Sequence, residues 1–164
     1  MTGPSRPCRG FTMMEILVAV AIVAILATLA VPSMHNSIVR DEIVKAAPLA
    51  ELAKKPIAAM WAASSEFPAN NAAAGLPPAG KIVSNHVTSV AVHDGAIRIT
   101  FGNNANGLIA GKILTMRPAV VEDTPVVPVA WVCGHAATPA KMTVVGVDVT
   151  DIPAAMLPFN CRAP

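Results

Sequence analysis

The hydrophobic rhythm of the chain changes three times. From Ile16 to Val31 sixteen consecutive residues carry no charge, and with Phe11 to Met14 the apolar segment is about twenty residues long with one acid, Glu15, near its start. At 1.5 Å of rise per residue, a helix of that length matches a bilayer core of about 30 Å. The pattern predicts a transmembrane helix over 11–32. Pro32 ends the purely apolar run, and a kink is expected there because proline removes a backbone hydrogen bond.

Over 33–65 the pattern becomes amphipathic. Ile43, Ala46, Ala50, Ala53, Ile57 and Met60 recur at steps of three and four, which is the spacing of a helical stripe. Arg40, Asp41, Glu42, Lys45, Glu51, Lys54 and Lys55 lie largely off that stripe and read as a solvated face. Pro48 and Pro56 are expected to bend or locally interrupt a helix that persists through them, and Trp61 is assigned to the core of the head. Residues 11–65 together make a stem of roughly 80 Å by helix rise.

Residues 66–81, rich in Pro, Gly, Ala and Asn, read as a loop. Period-two alternation follows. Val87 to Val92 and Ile97, Ile99 and Phe101 flank Asp94-Gly95, a strong two-residue hairpin signal. Lys112–Arg117 and Val129–Cys133 read as two further strands, so 82–133 is assigned to a four-stranded antiparallel sheet. The strands leave one apolar face and the helix needs a surface to cover, so packing the two together is the economical arrangement. The predicted class is α+β: a long N-terminal helix, half membrane-spanning and half amphipathic, packed on the sheet and followed by a C-terminal loop over 133–161. Met142–Val149 inserts a strand-like run into that loop, as either an edge strand or a surface ridge.

Composition sharpens this picture. The first ten residues are polar and hold Arg6 and Arg9; without them ten bases balance ten acids. A neutral chain without a basic run has no electrostatic footprint for nucleic acid, and with no Tyr and 4% aromatics it is poor in stacking platforms. Residues 1–10 are not an ordinary secretory signal, because the apolar core follows the candidate processing point, Gly10. Arg6 and Arg9 should hold this end in the cytoplasm with the C-terminal bulk outside. Of three cysteines, Cys133 and Cys161 remain as an even pair once residues 1–10 are removed. Outside the cytoplasm they suit a disulfide, two buried free thiols being the other reading. A carboxylate just inside an apolar segment costs about 2.5–3.5 kcal/mol on insertion scales, so Glu15 reads as functional, with snorkelling to the interface as its bland alternative.

No phosphate-binding glycine loop, nucleophile elbow or zinc spacing occurs, so no catalytic, cofactor-binding or metal residues are assigned. Cys133-Gly134-His135 is a weak metal signal, better read as a bridge beside a surface histidine. Asp148 and Asp151 are a weak paired-carboxylate or calcium candidate. An anchored enzyme is the least supported class.

The run Arg9-Gly10-Phe11-Thr12-Met13-Met14-Glu15 and the apolar residues after it resemble the N-terminus of type IV pilins. Phe67-Pro68, Phe101-Gly102-Asn103-Asn104-Ala105-Asn106 and the proline-rich stretch before Cys161 resemble the heads of the type IVa subgroup. The resemblance implies cleavage by prepilin peptidase between Gly10 and Phe11, N-methylation of Phe11, and pairing of Glu15 with a neighbouring subunit's amino terminus to set register. It also covers Pro32 as the helix kink and Cys133–Cys161 as a bridge closing the C-terminal loop. It implies no cofactor. The expected partners are further copies of the chain in a homopolymeric helical filament, prepilin peptidase, an assembly platform in the bacterial inner membrane, membrane lipid before assembly, and a surface or DNA contacted through the head. The expected course is a single-pass inner-membrane precursor, then an extracellular pilus for adhesion, twitching motility or DNA uptake. The alternatives are a minor pilin, a type II secretion pseudopilin or, less well supported, a membrane-anchored adhesin or DNA-binding module. Many relatives carry tyrosines after the proline where this chain has Met34 and Ser37, so conduction along stem aromatics has no support.

Overall fold

A computed structural model of the chain describes residues 10–163, with the side chains of 29–35 outside the description. The chain divides after His35 into two compact units. The first contains the start of helix α1 (Met13–Lys45). Every described side chain from Phe11 to Thr28 is exposed, and nearly all are apolar on every side of the helix. Among the described residues no helix is long and apolar enough to cross a membrane. The predicted span over 11–32 runs on into residues whose side chains are not described. The leader residues 1–9 lie outside the description, and so does the side chain of Pro32, where the kink is expected.

The second unit begins with the last turns of α1. The helix expected over 33–65, with a bend or local interruption at Pro48 and Pro56, is interrupted once, just ahead of Pro48. The helix stops at Lys45 and restarts as α2 (Ala47–Ser64). Pro48 has no N–H to give to Val44, and its ring crowds that carbonyl, which favours a break there. At the break the Ala46 N–H bonds to the Ile43 carbonyl at 3.1 Å, a three-residue step. Pro48 then sits in the first turn of α2, where its missing N–H would have been unsatisfied anyway. Pro56 lies inside α2, which runs on through it as expected. The buried stripe reads Val39, Ile43, Ala46, Ala50, Ala53, Ile57 and Trp61. It matches the predicted periodicity to Ile57; Trp61 is then the buried member and Met60 is only half-buried.

The sheet follows the order β1 (Val87–His93), β2 (Ala96–Phe101), β3 (Ile113–Val120), β4 (Ala130–Cys133), all antiparallel. Asp94 and Gly95 both take positive φ, 47° and 79°, and His93 pairs with Ala96, as a type I′ hairpin requires. Gly95 has a second reason: a Cβ there would fall 2.7 Å from the Phe67 ring. A bulge between Val87 and Ser89 absorbs one residue of register, so Val87, Val90 and Val92 all face the core. They join Ile97, Ile99 and Phe101 and the helix stripe in one apolar cluster.

A fifth strand, β5 (Thr143–Val144), comes from the Met142–Val149 insert and pairs with β3 at Ala119 and Val120. Since β4 occupies the other edge of β3 at Ala119, β5 continues the lane that β2 leaves. There the Val145 N–H bonds to the Pro118 carbonyl at 2.9 Å. This explains how β3 passes its proline. A residue's N–H and C=O face the same edge, and the missing donor of Pro118 faces β5 where β2 has already ended.

The loop after α2 is tied down by Asn71. Its amide donates to the Pro77 and Val90 carbonyls at 3.0 Å each, and its oxygen accepts from the Val92 N–H at 2.7 Å. Asn71 thus supplies the outer edge of β1 with the partners a further strand would have given. Trp61 stacks on Phe67 with centroids 4.9 Å apart, fastening the same loop to α2. Replacing Asn71 with Ala should lower stability by about 2–3 kcal/mol, because it strands buried strand-edge groups. Urea titration together with amide exchange at Val92 measures this; an unchanged midpoint with unchanged Val92 protection would contradict it.

Candidate functional site

Two places concentrate the residues that the sequence singled out. The first is the start of α1. Gly10, Phe11 and Thr12 precede the helix, and the Gly10–Phe11 bond lies in exposed, non-helical chain. A Cβ at Gly10 would meet nothing within 4 Å. Thr12 caps the helix: its hydroxyl accepts the Glu15 N–H at 3.2 Å and its carbonyl accepts from Glu15 and Ile16. The order Thr12-Met13-Met14-Glu15 spells a capping box, a signal that sequence reasoning passed over by attending to the acid alone. Only half of the box is made. Among the described residues no hydrogen bond engages the Glu15 carboxylate, which stays exposed at the positive end of the helix dipole. Phe11, 76% exposed, and Glu15 share an open recess with Gly10 and Thr12.

The second place is the C-terminal loop. Cys133 and Cys161, 28 residues apart, form a disulfide with their Cα atoms 4.5 Å apart. Closing a loop of this size stabilises by roughly 3–4 kcal/mol on the chain-entropy model. Beyond the end of β4, the segment Asp148–Asp151 takes up the vacated edge of β3. The Val149 N–H donates to the Thr115 hydroxyl, the Thr115 N–H to the Thr150 hydroxyl, and the Ile113 N–H to the Asp151 carboxylate at 2.6 Å. Asp148 meets the His135 ring at 2.9 Å and the Arg117 guanidinium at 3.9 Å. The aspartates therefore serve separate structural contacts, and His135 is held by Asp148 rather than standing alone. Among the described residues no cluster of three His, Cys, Asp or Glu side chains could hold a metal.

Several charges assigned to a solvated face also have fixed partners. Glu42 accepts the Asn106 N–H at 2.8 Å, Arg40 donates to the Ala155 carbonyl at 2.7 Å, and Lys54 lies 5.8 Å over the Trp131 ring. These contacts span 64 to 115 residues of sequence and had no local signal.

An apolar N-terminal helix with one acid at its head, joined to a disulfide-closed α+β head, has the build of a subunit made to polymerise. The comparisons agree. Residues 39–162 match the family model for pilin, the bacterial filament protein, and residues 5–31 match the prokaryotic N-terminal methylation motif. The chain is similar to a fimbrial protein of Neisseria meningitidis serogroup B, 31% identical and covering 94% of each chain. It is similar to a type IV major pilin protein, PilE1, of Neisseria gonorrhoeae, 31% identical over 94% of this chain and 87% of that one. It also resembles the fimbrial protein EcpC of Eikenella corrodens, 33% identical over 66% of this chain and 73% of that one. The chain belongs to the pilin family. This is a family of structural proteins, not of enzymes.

The Asp148 contacts carry a pH dependence. Burial alone would push its carboxyl up, but hydrogen bonds from Thr150 and His135 and the charge of Arg117 outweigh it and hold the group below its ordinary 3.8. A carboxyl depressed on folding contributes stability above its unfolded pKa, and that contribution is lost as pH falls through the lower folded value. Urea midpoints measured from pH 6 down through 3.8 should therefore fall less steeply for Asp148→Asn than for the unaltered chain. Equal acid slopes would remove this role.

Proposed function

We propose that the chain is the precursor of a type IV pilus structural subunit. Prepilin peptidase removes residues 1–10 by cutting after Gly10, and the new amino terminus at Phe11 is methylated. The precursor sits in the bacterial inner membrane with its N-terminus cytoplasmic and its head periplasmic. An assembly platform then draws it into an extracellular homopolymer used for adhesion, twitching motility or DNA uptake. The match of residues 5–31 to the methylation motif supports the processing steps. The major-pilin names of the relatives favour this reading over a minor pilin or a pseudopilin.

One observation carries the proposal: the apolar side chains of the first α1 turns are uncovered all around the helix. Burying each large one is worth about 1.5–3 kcal/mol, so an isolated subunit in water leaves a large driving force unused. A helix apolar on every side needs a bilayer or other helices around it. Moving from lipid to a bundle of neighbouring stems keeps it dry at each stage. Inside such a bundle the Glu15 carboxylate needs a cation, and the amino terminus of a cleaved neighbour is one. The pairing offsets two desolvation costs and sets the axial step, while a lone Glu15 would be left buried and uncompensated. Pro32 supplies a soft point where the stem adapts to its neighbours.

Glu15→Ala should still be inserted and cleaved, yet yield few sheared surface filaments; an abundant filament fraction from that strain would refute the register role. A Cβ at Gly10 meets no described atom within 4 Å, so the effect of Gly10→Leu reports on the peptidase. Uncut precursor by mass spectrometry is expected, and normal processing would refute cleavage after Gly10.

A further inference from the structure

The head carries a hole and a knob at opposite ends of the β3–β4 pair. The hole is a crevice of about 170 Å³ beside the α1–α2 break, lined by Ile43, Val44, Leu114, Met116 and the Cys133–Cys161 bridge. Pro158 and Asn160 also line it, and Phe159 between them is 80% exposed on the rim. The Arg40 and Arg162 guanidiniums lie 5.5 and 4.6 Å from the Phe159 ring, and both donate to the Ala155 carbonyl. Among the described residues neither comes within 4 Å of a carboxylate. The rim is thus apolar and positively charged.

The knob is the turn over 121–129. Val126 at its tip is 86% exposed. The turn is pre-shaped by bonds from Thr124 N–H to the Val121 carbonyl and from Val127 N–H to the Thr124 carbonyl. The Glu122 carboxylate is steadied by the Thr143 hydroxyl at 2.8 Å. Glu122 and Asp123 are exposed beside the apolar tip, so the knob is apolar and negatively charged. Met116 pairs with Cys133 at the crevice end of the strand pair and Ala119 with Ala130 at the turn end, so the two features lie at opposite ends of that pair.

We propose that the Val126 turn of one subunit docks in the Val44–Cys161 crevice of the next, a contact between copies that rests on the filament reading above. A crevice of this size takes a small apolar group: an engineered cavity of about 150 Å³ holds benzene. Charges of opposite sign on the two rims orient the encounter. The pre-shaped turn loses little freedom on docking. A head-to-tail contact of this kind repeats without closing whenever its rotation does not close a ring, which is what a helical filament needs.

The test mixes single-cysteine subunits. Val44, 57% exposed at the crevice, and Val126 are each replaced by Cys in separate subunits, which are expressed together. Native Cys133 and Cys161 are occupied by their bridge. Sheared filaments are treated with a short bis-maleimide. A cross-linked dimer from the mixture and none from either variant alone supports the contact. Filaments that form from the mixture without a dimer overturn it, and so does a dimer from Val126→Cys alone, which would mean a two-fold contact. In parallel, Val126→Asp should cut the sheared filament yield at least tenfold with tryptophan fluorescence unchanged; a normal yield overturns the contact. If unaltered cells release no filaments of this subunit, it is the filament reading that fails.

Discussion

An apolar helix with nothing of its own to cover it is the constraint on which this molecule turns. Around the start of α1 the side chains are uncovered on every side. No rearrangement of the head could cover a surface that encircles its helix, so the burial has to be intermolecular. That requirement gives Glu15 its meaning. In the proposed filament, a single acid at the head of an all-apolar helix, a cost in isolation, would set register once another chain brought a cation to it.

The head is built by a different rule. Its helix stripe is narrow and rich in alanine, so α2 comes close to the sheet, and Ala50, Ala53 and Ile57 are fully buried in one cluster with the inward side chains of β1 and β2. Its edges are closed by polar devices. Asn71 finishes the outer edge of β1, β5 extends the lane of β2, and Asp148–Asp151 extends the lane of β4. The disulfide holds the last of these in place from the far end of the loop. These closures leave outside, among other surfaces, the turn at Val126 and the crevice by the α1–α2 break, which the proposed contact uses.

Much of the fold was legible because its signals are local. The hairpin at Asp94-Gly95, the inward set Ile97, Ile99 and Phe101, and the stripe from Ile43 to Ile57 depend on residues within a few positions of one another. Errors came where local signals compete. The periodicity of the stripe crosses both Pro48 and Pro56 and suggests one helix, but the chain breaks at Ala46, ahead of Pro48, and runs on through Pro56. The strand read over Lys112–Arg117 continues through Pro118 to Val120, where a short partner faces the missing donor.

By itself the sequence determined the division of labour: an apolar segment that must leave water, an acid at its head, a two-layer α+β head, and a pair of cysteines able to close its last loop. These follow from hydrophobic period, charge placement and cysteine count, which are properties of neighbouring residues. Only the tertiary structure decided how distant polar groups are used. Glu42 reaches Asn106, Arg40 and Arg162 meet over Phe159, His135 meets Asp148, and Asn71 completes a strand, because side-chain hydrogen bonds depend on distances of a few ångströms between segments far apart in the chain. No pattern along the sequence encodes such distances. They are set by how the helices and the sheet pack.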